Sequence, residues 1–177
     1  LQSGSDEVLK LMRRRYDTSQ FAAKIAKIRS VIPDAFIGVD VIVGTRGETP
    51  EFFEDAYRFI DSLDVTQLHV FSYSERPGTQ ALKIDYVVTP EEKHARSQRL
   101  LALSEEKTRA FYARHRGQEA VVLLEKPKPG MPMHGFTANY IRVETEAHPD
   151  WDNRLVRVRL GDFNEDGTAL KASIQDA

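Results

Sequence analysis

Cysteine is absent from all 177 residues. That excludes disulfides, thiolate metal sites and a cysteine nucleophile within the chain. Long apolar runs are missing too: no stretch approaches the roughly 18 residues that a membrane span needs, and no leader pattern is visible. A large excess of either charge is also lacking. Twenty-five Lys/Arg stand against 27 Asp/Glu, a formal charge of −2, so no global basic field announces nucleic acid. Together these absences point to the cytoplasm and away from a membrane partner. The opening LQSGSDEVLK has no initiator Met, and a longer natural protein is expected. What is present is 41% hydrophobic residues, a globular share, in enough chain for one large or two small domains.

The chain is organised around GVDVIVGTRGE, Gly38 to Glu48. The apolar, β-branched run Phe36 to Val43 reads as a buried parallel strand. It enters a loop at Gly44 and Gly47, and Thr49-Pro50-Glu51 then opens a helix with a cap, a first-turn proline and an acid at the positive end. In α/β folds the C-terminal end of such a strand faces the ligand. The same pattern also serves an ordinary βα turn whose glycines supply geometry alone.

Around this unit the signals alternate. Leu1 to Ser5 reads as a strand end and a turn, with Ser3 or Ser5 capping a helix from Asp6. Arg13, Arg14 and Arg15 at its end either complement the helix dipole or hold a carboxylate or phosphate. Asp17 to Gln20 has capping-box spacing before a helix to about Ile32. Pro50 to Leu63 reads as a helix, and Leu68 to Tyr73 as a second strand carrying His69, a core or barrel-lining residue. Thr89-Pro90-Glu91-Glu92 starts a long helix expected to reach Arg116. Its charges, Lys93, Arg96 and Arg99 among them, read as a solvated face.

Gly117 marks a change of character. Short strands are expected at Ala120–Leu124, Gly135–Glu144, Leu155–Leu160 and Leu170–Ile174, separated by turn residues. Such a pattern suggests a small barrel or sandwich. In Val156-Arg157-Val158-Arg159 alternation separates valines from arginines. Small barrels often take single-stranded nucleic acid on aromatic and basic side chains; Phe136, Tyr140, Arg142, Arg157 and Arg159 are the candidates. Residues 117–177 hold seven Lys/Arg and ten Asp/Glu, a net of −3, so any RNA contact must use a local face. Composition alone favours Phe136 and Tyr140 as core residues and the arginines as solvated.

Four separated stretches, in order, resemble one family, the radical S-adenosylmethionine methylthiotransferases. QSGSDEVLKLMRRRY resembles the family's QSGS…L…M.R.Y signature, GVDVIVGTRGET its G.D.IVGFPGET strand and loop, and FSYSERPGTQA its F.YS.R.GT.A segment. HGFTANYIRVE looks like part of the RNA-binding barrel called TRAM. The resemblance implies an α/β fold: a partial (β/α) radical-SAM barrel at 1–116 followed by a small all-β TRAM (OB-like) barrel at 117–177. GVDVIVG and GFTANYIRV look most like the branch acting on threonylcarbamoyladenosine beside the tRNA anticodon. The isopentenyladenosine branch, the branch acting on a ribosomal-protein aspartate, and a non-catalytic RNA-binding module are the alternatives.

The reaction so implied inserts a methylthio group at C2 of the modified adenine, using S-adenosylmethionine and two iron–sulfur (4Fe-4S) clusters. The cluster cysteines lie outside this chain, which alone would be inactive; the electron donor and sulfur source are open. Carried over residue by residue, Gln2, Ser3 and Ser5 would face the ribose and amino-acid part of S-adenosylmethionine. Arg14 and Tyr16 match M.R.Y. Ile42 and Val43 would lie near the adenine, Gly44, Gly47 and Glu48 form the following loop, and Tyr73 and Ser74 would read an adenine edge. Arg76 falls in the third motif and is assigned to substrate or RNA. Thr45-Arg46 replaces the family's Phe-Pro, and Arg46 is expected to meet RNA phosphate or the substrate's carboxylate. A half barrel also exposes sheet edges, so self-association is expected.

Overall fold

The computed structural model describes residues 1–175. It divides into two compact units, one of Leu1–Lys107 and one from Thr108 onward, so the boundary falls inside a helix and ahead of Gly117.

The first unit alternates helices and strands: α1 (Asp6–Leu11), α2 (Thr18–Val31), β1 (Gly38–Val43), α3 (Pro50–Ser62), β2 (Gln67–Ser72) and the start of α4 (Pro90–Ala113). Each helix begins where a side chain meets an orphan amide. Ser5 accepts from the Val8 N–H, Asp17 from Gln20 and Thr49 from Phe52. At α4 the exchange is reciprocal: the Thr89 N–H donates to Glu92 at 2.9 Å, and the Glu92 N–H donates to Thr89 Oγ1 at 3.2 Å. That is a capping box. β1 itself starts two residues later than the run from Phe36 suggests, at Gly38.

β1 and β2 pair in parallel, from Gly38 opposite Gln67 to Val43 opposite Ser72. Gln2 joins the free side of β1, donating to the Asp40 carbonyl at 2.9 Å and accepting from the Ile42 N–H at 2.8 Å. Val39, Val41, Val43 and Leu68 face the helices and share a core with Ile25, Phe53, Ile60, Leu100 and Leu103. The opposite face carries Asp40, Ile42, His69 and Phe71 and is open, with Phe71 54% exposed. The strand pattern is therefore one-sided here, although an apolar run in a parallel sheet reads as buried on both faces.

The second unit is a closed five-stranded barrel of β3 (Glu119–Leu124), β4 (Met133–Thr137), β5 (Arg142–Thr145), β6 (Leu155–Phe163) and β7 (Leu170–Ile174), in the order β3-β4-β5-β7-β6. Only β5 and β7 pair in parallel. Val122, Leu124, Met133, Val143, Val158, Leu160 and Leu170 fill its interior. Two expectations need correction. The stretch read as one strand from Gly135 to Glu144 is two: Thr137 and Ile141 close a tight turn, with Tyr140 at φ 61°. The long helix stops at Ala113, where the Gly117 N–H bonds the Leu160 carbonyl and ties the chain to the barrel.

Candidate functional site

At the C-terminal ends of β1 and β2 lies a concavity of about 420 Å³ lined by Ile42, Phe71, Ser72, Tyr73, Ser74 and Arg76, with Thr79 and Ala81 beyond. Four expected site residues, Ile42, Tyr73, Ser74 and Arg76, thus come together. The place is where parallel strands present ligands. Ile42 and Phe71 are register partners and make an apolar wall. Arg76 stands among the polar lining residues.

The loop after β1 is held shut against the segment after β2. Gly44 (φ 77°) and Gly47 (φ 84°) adopt left-handed backbone, which glycine reaches at little cost. The Lys93 stem crosses Gly44 so closely that an added Cβ would lie 2.3 Å from its Cγ. Lys93 then donates to the Tyr73 carbonyl at 3.2 Å. Glu48 is buried: its carboxylate accepts from the Gly44 N–H at 2.6 Å and from Arg96 at 2.9 Å. Burial, the largest influence, pushes this carboxyl above its usual range, against the pull of the Gly44 amide and of Arg96. Arg46 donates through Nε to Glu75 at 2.7 Å and through Nη1 to the carbonyls of Leu82 and Ile84, both at 3.1 Å. The bond from Arg46 holds the Glu75 carboxyl below its usual range.

Gln2, Arg14 and Tyr16 form a separate group. Arg14 donates to Gln2 Oε1 at 3.2 Å, and the Tyr16 hydroxyl donates to the Leu1 carbonyl. Ser3 and Ser5 are both buried; Ser3 accepts from the Ser5 N–H, and Ser5 caps α1. None of these five lines the strand-end concavity.

On the barrel, Phe136 and Tyr140 are outward, 39% and 64% exposed, with ring centroids 6.4 Å apart. Composition favours them as core; the tight turn at 137–141 instead lifts Tyr140 clear of the interior. The arginines differ from one another. Arg159 is paired with Glu119 at 3.0 Å, and Arg142 reaches Thr168 Oγ1 at 3.5 Å. The Arg157 guanidinium has no ion pair or hydrogen bond among the described residues.

No family model matches the chain. Curated relatives do. Threonylcarbamoyladenosine tRNA methylthiotransferase MtaB of Bacillus subtilis is 34% identical over 164 residues, covering 90% of this chain and 36% of the relative. A tRNA-2-methylthio-N(6)-dimethylallyladenosine synthase of Thermobifida fusca is 43% identical over 124 residues, covering 70% and 25%. One of Aliarcobacter butzleri is 34% identical over 177 positions, covering 98% and 40%. Over the segment it spans, the chain is similar to tRNA methylthiotransferases. It spans about a third of the length of the curated relatives it matches. Of the four motifs quoted above, GVDVIVGTRGET and FSYSERPGTQA fall on the strand-end concavity and the loop closing beside it, HGFTANYIRVE on the barrel turn, and QSGSDEVLKLMRRRY on the separate group of Gln2, Arg14 and Tyr16.

Two features of this segment escape the motifs. Arg96 and Lys93, read as solvated, face inward. Arg96, Leu100, Leu103 and Lys107 recur at helical spacing, and that stripe was the available signal. The second is an outward apolar row on the barrel at Leu123 and Leu155, which alternation alone could have flagged. Cluster chemistry does not fit these residues: there is no cysteine, and no group of three or more His, Asp or Glu able to hold a metal occurs among the described residues. The strand-end concavity does fit an adenosine-bearing ligand, with an apolar wall at Ile42 and Phe71, a backbone edge at Ser74, and a cation at Arg76; the Tyr73 N–H and carbonyl are bonded to Val43 and Lys93. No helix among the described residues is long and apolar enough to cross a membrane.

Proposed function

We propose that the parent protein is a radical S-adenosylmethionine tRNA methylthiotransferase that adds a methylthio group to C2 of N6-threonylcarbamoyladenosine beside the anticodon. On this reading residues 1–116 are the later part of its (β/α) barrel and residues 117–177 its TRAM barrel. The observation that carries it is the concavity at the ends of β1 and β2, lined by residues of the shared motifs. The branch rests on GVDVIVG and GFTANYIRV, since relatives named for either nucleoside align with the chain.

S-adenosylmethionine, when bound, supplies the oxidising power and the methyl group. This chain's residues would place it. Ile42 and Phe71 would give the adenine an apolar wall and the backbone at Ser74 would meet its polar edge; the Tyr73 N–H is spent on the Val43 carbonyl, so Tyr73 could add only the second lone pair of a carbonyl that already accepts from Lys93. Gln2, with Arg14 and Tyr16 behind it, lies on the neighbouring strand position and would meet the ribose and amino-acid end; Ser3 and Ser5 shape that turn. Gly44, Glu48 and Arg96 fix the loop beside the concavity. Arg76 would take a substrate carboxylate or phosphate by paired hydrogen bonds. Arg46 has Nε and Nη1 committed to protein acceptors, so any hold on the substrate would come through Nη2. The clusters, reductant and sulfur source belong to the rest of the parent protein.

Complementation tests this reading. A bacterial strain lacking its own methylthio-threonylcarbamoyladenosine activity would receive the full-length gene, and its tRNA nucleosides would be resolved by mass spectrometry. Recovery of the methylthio derivative of threonylcarbamoyladenosine is expected. Recovery only of the isopentenyl derivative would move the protein to the other branch.

A further inference from the structure

The segment after β2 supplies the outer wall of the strand-end concavity through Arg76, Thr79 and Ala81, yet it has no core of its own. No residue from Tyr73 to Val87 is buried, and its one regular piece is a 3-10 turn at Gln80–Lys83. A stretch that buries so little opens at low cost unless polar bonds hold it. Its two ends are held. The Tyr73 N–H donates to the Val43 carbonyl at 2.9 Å, and the Gly47 N–H donates to the Tyr86 carbonyl at 2.8 Å.

Between those ends a single side chain does the holding. Among the described residues, every hydrogen bond and ion pair that reaches residues 74–85 from outside that span comes from Arg46. Its Nε donates to Glu75 at 2.7 Å, and its Nη1 donates to the carbonyls of Leu82 and Ile84 at 3.1 Å. These three acceptors bracket Arg76, Thr79 and Ala81 in sequence, the residues that line the concavity. A planar guanidinium serves acceptors in different directions from one fixed fork, which a lysine ammonium on its flexible stem does not. Arg46 also engages the carboxylate next to Arg76. That leaves the Arg76 guanidinium, which has no ion pair or hydrogen bond among the described residues, for an anion in the concavity.

Resting on the S-adenosylmethionine reading above, we propose that Arg46 is a positioning residue: it clasps residues 75–84 into the outer wall of the ligand concavity and does not itself contact the substrate. Ligand affinity then follows the fraction of molecules in which that wall is formed. A wall formed only a tenth of the time weakens binding about tenfold, and leaves the chemical step unchanged once the ligand is held.

The test uses the full-length protein reconstituted anaerobically with iron and sulfide. Hydrogen exchange by mass spectrometry follows residues 74–86, and the KM for S-adenosylmethionine is taken from its reductive cleavage without tRNA, where no substrate carboxylate is present. Arg46→Ala should speed exchange at residues 79–84 about tenfold or more while β1 and β2 stay protected. The KM should rise about tenfold with kcat within about twofold of wild type. Glu75→Ala should give the same pattern more weakly, and should cost less when added to Arg46→Ala than it costs alone, because both remove one contact. If Arg46→Ala fails to fold in a thermal melt, Glu75→Ala carries the same two readouts. Unchanged exchange at 79–84 would overturn the clasp, and so would faster exchange with an unaltered KM. A loss seen only in the KM for threonylcarbamoyl tRNA would make Arg46 a substrate contact and equally overturn it. Wild-type protein with intact clusters that leaves S-adenosylmethionine uncleaved would overturn the methylthiotransferase reading instead, and exchange at 79–84 would still decide the clasp.

Discussion

The smallest unit that determines this structure is a buried pair. Glu48 and Arg96 are almost wholly enclosed, bonded at 2.9 Å, and Glu48 also receives the Gly44 amide. Removing one member strands a buried charge. Arg96→Met is therefore expected to destabilise the first unit by about 3–5 kcal/mol in urea denaturation, and Glu48→Gln with Arg96→Met to recover most of that loss. The pH response has a definite sign. Burial raises the Glu48 pKa in the folded state, so the fold binds that proton more tightly than the unfolded chain does. Its favourable contribution is complete below the ordinary carboxylate range and is lost as pH rises through the raised value. The stability gap between wild type and the double variant should move in favour of wild type as pH falls from neutral; movement the other way would contradict this assignment. A second residue-scale device lies at the barrel turn. The Ile141 N–H donates to Thr137 Oγ1, the Thr137 hydroxyl to Asn139 Oδ1, and the Asn139 amide faces His115 Nε2 at 3.3 Å. His115 Nδ1 faces the Phe111 carbonyl at 2.8 Å, which requires the proton on Nδ1. His115→Ala should raise amide exchange at residues 137–141 more than elsewhere in the barrel, as read by hydrogen exchange.

At the scale of elements, local signals and tertiary placement part company. Helix starts were legible because a cap is a local event: Asp17, Thr49 and Thr89 each accept the amide their spacing predicts. Thr89→Ala, which breaks the capping box, is expected to cost about 1 kcal/mol in thermal or urea denaturation. The turn within 135–144 was not legible, because Asn139-Tyr140 lacks the Gly that usually marks a reversal. Likewise the inward arginine of α4 was hidden by its own charge, since charge predicts solvent unless a buried partner such as Glu48 lies 48 residues away. In the candidate site, the glycine loop and the SYSER tail were readable as strand ends, and they do converge. Which of their side chains would be consumed in holding the loop, as Arg46 is, depends on contacts distant in sequence. Close packing sets the barrel's register. A Cβ at Gly135 would lie 2.3 Å from the Leu123 carbonyl oxygen, so Gly135→Ala should disturb β3–β4 pairing and lower barrel stability by about 3 kcal/mol or more.

For the whole molecule, the open face of β1 and β2 is the most telling feature. Parallel sheets are ordinarily covered on both faces, yet Asp40, His69 and Phe71 stand exposed. Light scattering at high concentration should accordingly find this chain self-associated, and a clean monomer would count against that view. At this scale the parent's chemistry is decisive. Its most direct test reconstitutes the full-length protein anaerobically with iron and sulfide, then supplies S-adenosylmethionine, reductant and tRNA bearing threonylcarbamoyladenosine, isopentenyladenosine or neither. After digestion, mass spectrometry should find a methylthio nucleoside only from the threonylcarbamoyl tRNA. Intact clusters and cleavage of S-adenosylmethionine without methylthiolation of any tRNA would contradict the claim.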